Sequence, residues 1–276
     1  MDKVWFITGS GKGIGRAIAL AALKAGDYVV ATTRKTNGFA QLPEYQDKLL
    51  NLKLDVSDTD AQVYEQVVEI AVQKFGRIDV LVNNAGYGAI TNFEETSEDS
   101  VRKLFEVNLF GTMRVTRAVL PYMHKQREGR IFNIASGGGY APGPVPYHTT
   151  KFAVTGFSTC LAFELEPFGI KVTNVAPGLF RTGFYDKGTW ETEPDIHIED
   201  YDEFRWQTAF VENAQKNTQP GDPDKLAALI VEVAACDSPP LHLPIGADAP
   251  AVLDTLCNKL KSDTDAWREK SVNTVF

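Results

Sequence analysis

The chain is 276 residues long, with a formal charge of −8, a pI near 5.1, 43% hydrophobic and 23% charged residues. That is the composition of a globular protein with ample material for a core, and its acidity argues against nucleic acid or an anionic membrane as partner. No apolar run reaches spanning length, no signal-peptide pattern precedes Val4-Trp5-Phe6-Ile7, and the three cysteines, Cys160, Cys236 and Cys257, form no Cys-x2-Cys pair, so the chain fits a reducing cytoplasm.

Val4 to Thr8 reads as a buried strand. It runs into Gly9-Ser10-Gly11-Lys12-Gly13-Ile14-Gly15, and a helical apolar pattern follows from Arg16 to Lys24, stopped by Gly26. Strand, glycine turn and helix are the context of a dinucleotide site, where bare backbone approaches a pyrophosphate and the helix N-terminus faces it. Lys12 is followed by Gly13, so this is not a Walker loop. A tight turn without ligand is the alternative.

Tyr28 to Thr33 is the next strand. NAD-preferring sites carry an acidic residue at this strand end; here Thr33, Arg34 and Lys35 occupy it. Arg34 suits a bidentate pair with a 2′-phosphate, with Lys12 approaching from the glycine loop, which points to NADP(H). Solvated surface cations are the alternative.

Leu50 to Leu54 forms a third strand with Asp55 at its tip, and a helix runs from Asp58 to Phe75, closed by Gly76. Val80 to Val82 is a fourth strand, leading into Asn83-Asn84-Ala85-Gly86. Ser97 caps a helix from Glu98 toward Asn108, and a further apolar pattern continues through Leu120 and Met123. Asn108 is a poor helix-interior residue; it marks a local kink or holds a water. Ser100-x2-Lys103 lies mid-helix among charges and is read as chance.

Strand Arg130 to Ala135 then delivers Ser136, a Gly- and Pro-rich loop, and a helix from Tyr147 to about Phe168. Tyr147 and Lys151 are four residues apart and share a helix face. A fixed ammonium beside a phenol is expected to lower its pKa from about 10 and fit it for proton transfer. Ser136 can hydrogen-bond a substrate oxygen, whereas His148 points to another helix face. Serine hydrolase chemistry is disfavoured: Ile134 stands where a nucleophile elbow needs glycine, and no histidine is suitably placed. The four histidines are scattered, so no metal site is expected.

Lys171 to Val175 is a sixth strand, ending in Ala176-Pro177-Gly178. Six alternations of strand and helix over about 175 residues specify a single α/β domain with a doubly wound, Rossmann-like parallel sheet, and every feature above lies at a strand carboxyl end. Residues 184–222 interrupt the pattern. The surrounding stretch is acidic and aromatic (Phe180, Phe184, Tyr185, Trp190, Tyr201, Phe204, Trp206, Phe210) and reads as a substrate lid or an interface. Residues 223–276 add a helix to Ala235, a short edge strand at Leu241–Leu243, a helix from Ala251 to Lys261 and a loose tail beyond Trp267.

These residues resemble the short-chain dehydrogenases/reductases over about 3 to 183. Thr8 to Gly15 matches the family's Thr-Gly-x3-Gly-x-Gly, and Asn83 to Gly86 its Asn-Asn-Ala-Gly. Asn108, Ser136, Tyr147 and Lys151 match its catalytic set, and Pro177-Gly178 its Pro-Gly. The resemblance implies that Tyr147 exchanges a proton with the substrate oxygen and that Lys151 tunes Tyr147 and holds the nicotinamide ribose. Ser136 orients the substrate, Asn108 anchors a relay water, and Asp55 binds near the adenine. The implied cofactor contacts are Gly9, Ser10, Lys12, Gly13, Ile14, Gly15, Arg34, Asp55, Val56, Asn83, Ala85, Gly86, Pro177, Gly178, Phe180 and Thr182, besides Tyr147 and Lys151. Candidate substrate contacts are Tyr87, Gly138, Tyr140, Phe184 and Tyr185. The Ser136–Tyr147 loop is a couple of residues shorter than is usual in the family.

The expected activity is NADP(H)-dependent interconversion of a carbonyl and a secondary alcohol on a fairly apolar small molecule, by a homodimer or homotetramer. A non-catalytic NADPH-binding protein and an epimerase or dehydratase are the alternatives.

Overall fold

Val4–Ile7 (β1) is apolar at every position and buried at every position in this computed structural model. The structure describes residues 2–35, 39, 42–185, 190–191, 193–205 and 218–275, by backbone alone at 185 and 190–191. An unbroken apolar strand is what a sheet covered on both faces requires. Beside β1 lie β2 (Tyr28–Thr33), β3 (Leu49–Lys53), β4 (Val80–Asn83), β6 (Gly129–Ile134), β7 (Ile170–Pro177) and β9 (His242–Ile245), all parallel, in the order β3-β2-β1-β4-β6-β7-β9. Two short strands, β5 (Gly88–Ala89) and β8 (Trp190–Glu191), pair separately.

Period-two alternation divides the core into two layers. Trp5 and Ile7 pack with Ile18 and Leu23 of α1 (Gly13–Lys24) and with Leu226 and Ile230 of the helix Pro223–Ala235. Val4 and Phe6 pack on the other face with Tyr64 and Val68 of α2 (Ala61–Phe75), Val115 and Val119 of α4 (Gly111–Gln126), and Leu161 of α5 (Val145–Leu165). This is the expected doubly wound α/β architecture. The winding reverses between β1 and β4, which opens a crevice at their carboxyl ends.

Several boundaries shift for identifiable reasons. Asp60, not Asp58, caps α2, its carboxylate accepting from the Gln62 amide, while Gly76 closes it in the left-handed region. The seventh strand runs to Ile245 through Pro244, which an edge strand tolerates. Helix α3 (Glu98–Phe105) is capped by Ser97 as expected, and Glu106–Phe110 then widens into a π-turn that carries Asn108. The tail beyond Trp267 is not loose: the last helix runs over Ala249–Val272. Apolar periodicity fades there; the i,i+4 pairs Lys259–Asp263 and Lys261–Asp265 support the turns before Trp267, and the Asp265–Arg268 pair and Lys270 over the Trp267 ring support those that follow.

One internal feature has no local signature. Asn83, Asn133, Asn174 and His242 stand in register on four neighbouring strands. Asn83 Nδ2 donates to Asn133 Oδ1 at 2.8 Å, Asn133 Nδ2 to Ser158 Oγ at 2.9 Å, and Asn174 Nδ2 to the Tyr140 hydroxyl at 2.8 Å. The Tyr140 hydroxyl meets His242 Nδ1 at 2.6 Å. Buried amides demand partners, and a cross-strand polar ladder supplies them to all three amide nitrogens, while Asn83 Oδ1 stays without one.

Candidate active site

The glycine loop is built between β1 and α1. Gly9 and Gly13 have φ of 63° and 59°, which a side chain disfavours. Thr8 Oγ1 accepts from the amides of Asn84 and Ala85 at 2.9 and 3.0 Å, while Asn84 Nδ2 donates to the carbonyls of Thr8 and Gly9. The loop is thus fastened to the end of β4. Asn84, absent from the sequence-derived contact set, does this fastening; Asn83 turns its amide into the ladder instead. Helix α1 has no acidic residue in its first turn and no side-chain cap on Lys12. Bare glycine backbone and an uncapped helix N-terminus fit an anionic pyrophosphate. Thr182 lies across the crevice, its Cβ 3.6 Å from where a Gly13 Cβ would stand.

A Cβ on Gly9 would come 2.9 Å from Ala85 Cα in addition to the strained φ. Gly9→Ala is therefore expected to cost about 1–3 kcal/mol, seen as a melting temperature lower by several degrees. An unchanged melting temperature would contradict the packing described.

At the end of β2, Ser10 ties the loop down by donating from N and Oγ to the Thr32 carbonyl, both at 3.1 Å. Arg34 and Lys35 are exposed. Asp55 Oδ1 accepts from the Ser57 amide and hydroxyl at 3.0 and 2.7 Å. Burial works to raise the Asp55 carboxyl, but the Ser57 bonds and the charges of Arg34 and Lys53 outweigh it and hold it below its ordinary value. Val56 is buried against Gly111, and Ile14 packs on the core beneath the loop. Pro177 ends β7 and Gly178 follows it, and Phe180 is buried beside Gly221.

Three elements converge further along the crevice. Ser136 follows β6 and caps the short turn Gly137–Gly139, its Oγ accepting from Gly138 N at 3.0 Å. Tyr147 and Lys151 project from the first turns of α5, both buried, and the Ser136 side chain works to lower the Tyr147 phenol. Lys151 Nζ donates to the Ile134 carbonyl at 2.9 Å and stands 5.7 Å from the Tyr147 ring centroid. The π-turn brings in Asn108, whose Nδ2 donates to Tyr87 O at 3.0 Å and Thr150 Oγ1 at 3.1 Å, and whose Oδ1 accepts from Tyr87 N at 3.0 Å. A Cβ on Gly86 would meet that Oδ1 at 3.0 Å and Lys151 Nζ at 3.8 Å, so the Asn83–Gly86 segment closes the same space.

The expected lowering of the Tyr147 phenol by Lys151 is not found in the protein by itself. Burial pushes the phenol up to about 12, only partly offset by the Ser136 bond, and burial pulls Lys151 down to about 8. Removing both groups from water disfavours both charged forms, and the ammonium lies over the ring with one proton committed to Ile134.

Tyr87, Ala89, Leu104 and Phe184 pack around Tyr147, with the Phe184 ring 6.0 Å from it and tilted by 45°. Gly138 is buried beside Ser136. Tyr140 commits its hydroxyl to Asn174 and His242. The Tyr185 side chain, Trp206 and Phe210 lie outside the described residues.

A sequence model of the short chain dehydrogenases matches residues 3–192. The chain belongs to this family. An oxidoreductase of Botryotinia fuckeliana, BOA17, is 38% identical over 278 residues, covering 99% of each chain. A 3-ketodihydrosphingosine reductase of Bacteroides thetaiotaomicron is 37% identical, covering 88% of each. Among solved structures, a short-chain dehydrogenase from Streptomyces avermitilis superposes with a TM-score of 0.90 at 38% identity over the whole of both chains. A Burkholderia phymatum short-chain dehydrogenase/reductase in complex with NAD gives 0.79 at 25% identity, covering 97% of this chain and 95% of its own. ElxO with NADP bound gives 0.74 at 30%, covering 91% and 100%. This short-chain dehydrogenase is therefore similar over essentially its whole length to the Botryotinia oxidoreductase and to the Streptomyces structure. No described helix is long and apolar enough to cross a membrane.

Proposed function

We propose that this short-chain dehydrogenase is an NADP(H)-dependent oxidoreductase that interconverts a carbonyl and a secondary alcohol on a fairly apolar small molecule. The observation that carries the reading is the convergence of Ser136, Tyr147 and Lys151 beside the glycine cradle. The bound nicotinamide would supply or accept the hydride. Tyr147, with its pKa raised to about 12, keeps its proton at neutral pH and is poised to give it to a carbonyl oxygen. Ser136 has an amide donor on its Oγ, which leaves its own proton for that same oxygen. Lys151, oriented by Ile134, stabilises the phenolate as it forms. Asn108 fixes Tyr87 and the Thr150 hydroxyl behind Tyr147 and anchors the relay that returns the proton.

Arg34 and Lys12 carry the NADP(H) preference, with no acid at the end of β2 to repel a 2′-phosphate. The relative that reduces a ketosphingoid base is consistent with an apolar ketone, and so are Phe184, Tyr87 and Leu104 around Tyr147. The excursion after β7 acts as the outer substrate wall. Two fastenings support this: the β5–β8 pairing, and Glu95, a fully buried carboxylate that accepts from Ile198 N at 3.1 Å and Arg205 Nη1 at 2.6 Å. Exposed Phe110, Phe152 and Phe163 support a helix-packed homodimer or homotetramer, which we assign to the cytoplasm.

The test is a panel of aromatic and long-chain aldehydes and ketones with NADPH and with NADH, followed at the reduced-nicotinamide band. Turnover with NADPH preferred is expected. Arg34→Ala should raise the KM for NADPH about tenfold, the loss of one charge-assisted contact, and leave NADH unchanged. A wild-type preference for NADH would overturn the cofactor assignment, and binding without turnover across the panel would overturn the enzyme.

A further inference from the structure

His148 lies on no expected catalytic face, yet the loop that carries Ser136 is wrapped around its ring. His148 Nδ1 is 2.8 Å from the Ala141 carbonyl. A Cβ on Gly143 would stand 2.1 Å from His148 Cε1, and one on Gly138 would stand 2.8 Å from Nε2. A Cβ on Gly139 would collide with Thr155 Oγ1 at 2.7 Å and the Lys151 carbonyl at 2.9 Å. Gly138, Gly139 and Gly143 thus have a common cause: the chain passes so close to the imidazole and to α5 that a side chain there would force a neighbour to move. The Ala141 carbonyl can only accept, so Nδ1 carries the proton and Nε2 does not. Burial also pulls His148 below its ordinary pKa, favouring that neutral form.

We propose that His148 is a positioning residue for Ser136. Its imidazole is the template on which residues 137–143 fold. Through Gly138, whose amide donates to Ser136 Oγ at 3.0 Å, it fixes the direction in which the serine proton points. The inference rests on the role given to Ser136 above. It assigns to this chain a device that replaces loop length with a ring: the imidazole fills the space beneath the loop and holds Ala141.

A double-mutant cycle tests it, using Ser136→Ala, His148→Ala and the double variant with NADPH and 4-nitrobenzaldehyde as the carbonyl probe. His148→Ala is expected to lower kcat about 10–100-fold, with the Kd for NADPH unchanged. In the Ser136→Ala background the same change should cost less than about threefold, because a residue acting through Ser136 has nothing left to position. Equal losses in both backgrounds would overturn the proposal, as would a histidine ring 15N spectrum showing His148 as the Nε2–H tautomer. Should His148→Ala fail to fold, His148→Asn, with an amide able to donate toward Ala141, takes its place in the cycle. A wild type inactive on the probe and on the whole panel counts against the proposed function. The 15N spectrum then still decides whether the ring holds the loop.

Discussion

Changing Tyr147 to phenylalanine is expected to lower carbonyl turnover by about 10²–10⁴-fold, the range for loss of a positioned general acid. The fold should hardly notice. Phenylalanine keeps the ring that packs against Phe184, Leu104 and Ala89, and Ser136 Oγ keeps its bond from Gly138. The Kd for NADPH should stay within a few-fold of wild type, because the glycine cradle is untouched. The magnitude follows from what the hydroxyl supplies: a proton donor held neutral by burial up to about pH 12. Tyr140 cannot substitute, since its hydroxyl is occupied by Asn174 and His242. The measurement is kcat on any substrate the wild type reduces, and a fully active Tyr147→Phe enzyme would remove Tyr147 from the mechanism.

Lys151 should give the second large effect, visible in the pH profile as well as in the rate. Its ammonium is needed charged, and burial has brought its pKa from 10.5 down to about 8. The sign follows directly: the active, protonated form dominates below that value, so kcat/KM for reduction should fall as pH rises through about 8. Tyr147 adds no loss there, because it stays protonated until about 12. Lys151→Arg retains a charge that does not titrate in this range, so the alkaline limb should vanish even if the absolute rate is lower. Lys151→Met leaves the forming phenolate without a counter-charge and should lose about 10²–10³-fold. An alkaline limb that persists unchanged in Lys151→Arg would assign it to another group.

Much of the cofactor end of the crevice can be read one residue at a time. Gly9 and Gly13 sit where positive φ is required, and the turn lies between a fully apolar strand and an amphipathic helix, so local pattern and tertiary context agree. Tyr147 and Lys151 need only helical spacing to share a face. Asn108 could be marked as anomalous from propensity alone, but not resolved. The π-turn that accommodates it exists because its amide is bonded on both sides to Tyr87 and also to Thr150, residues 21 and 42 positions away. Asn83 and Asn84 are adjacent and chemically identical. The alternation of side chains along extended backbone sends one amide into the ladder and the next back to Thr8 and Gly9.

The amino-acid order alone determined the alternation of strands and helices, the doubly wound sheet and the strand ends at which chemistry gathers. Those features depend on periodicity, turn residues and caps within a few neighbours. Tertiary structure decided the rest: the asparagine ladder into His242, the Glu95 fastening and the loop folded round His148. It also reversed the expected direction of the Tyr147 shift. The reason is the same in each case. Register and desolvation are set by segments far apart in the chain, and burial outweighed the one nearby charge that spacing could reveal.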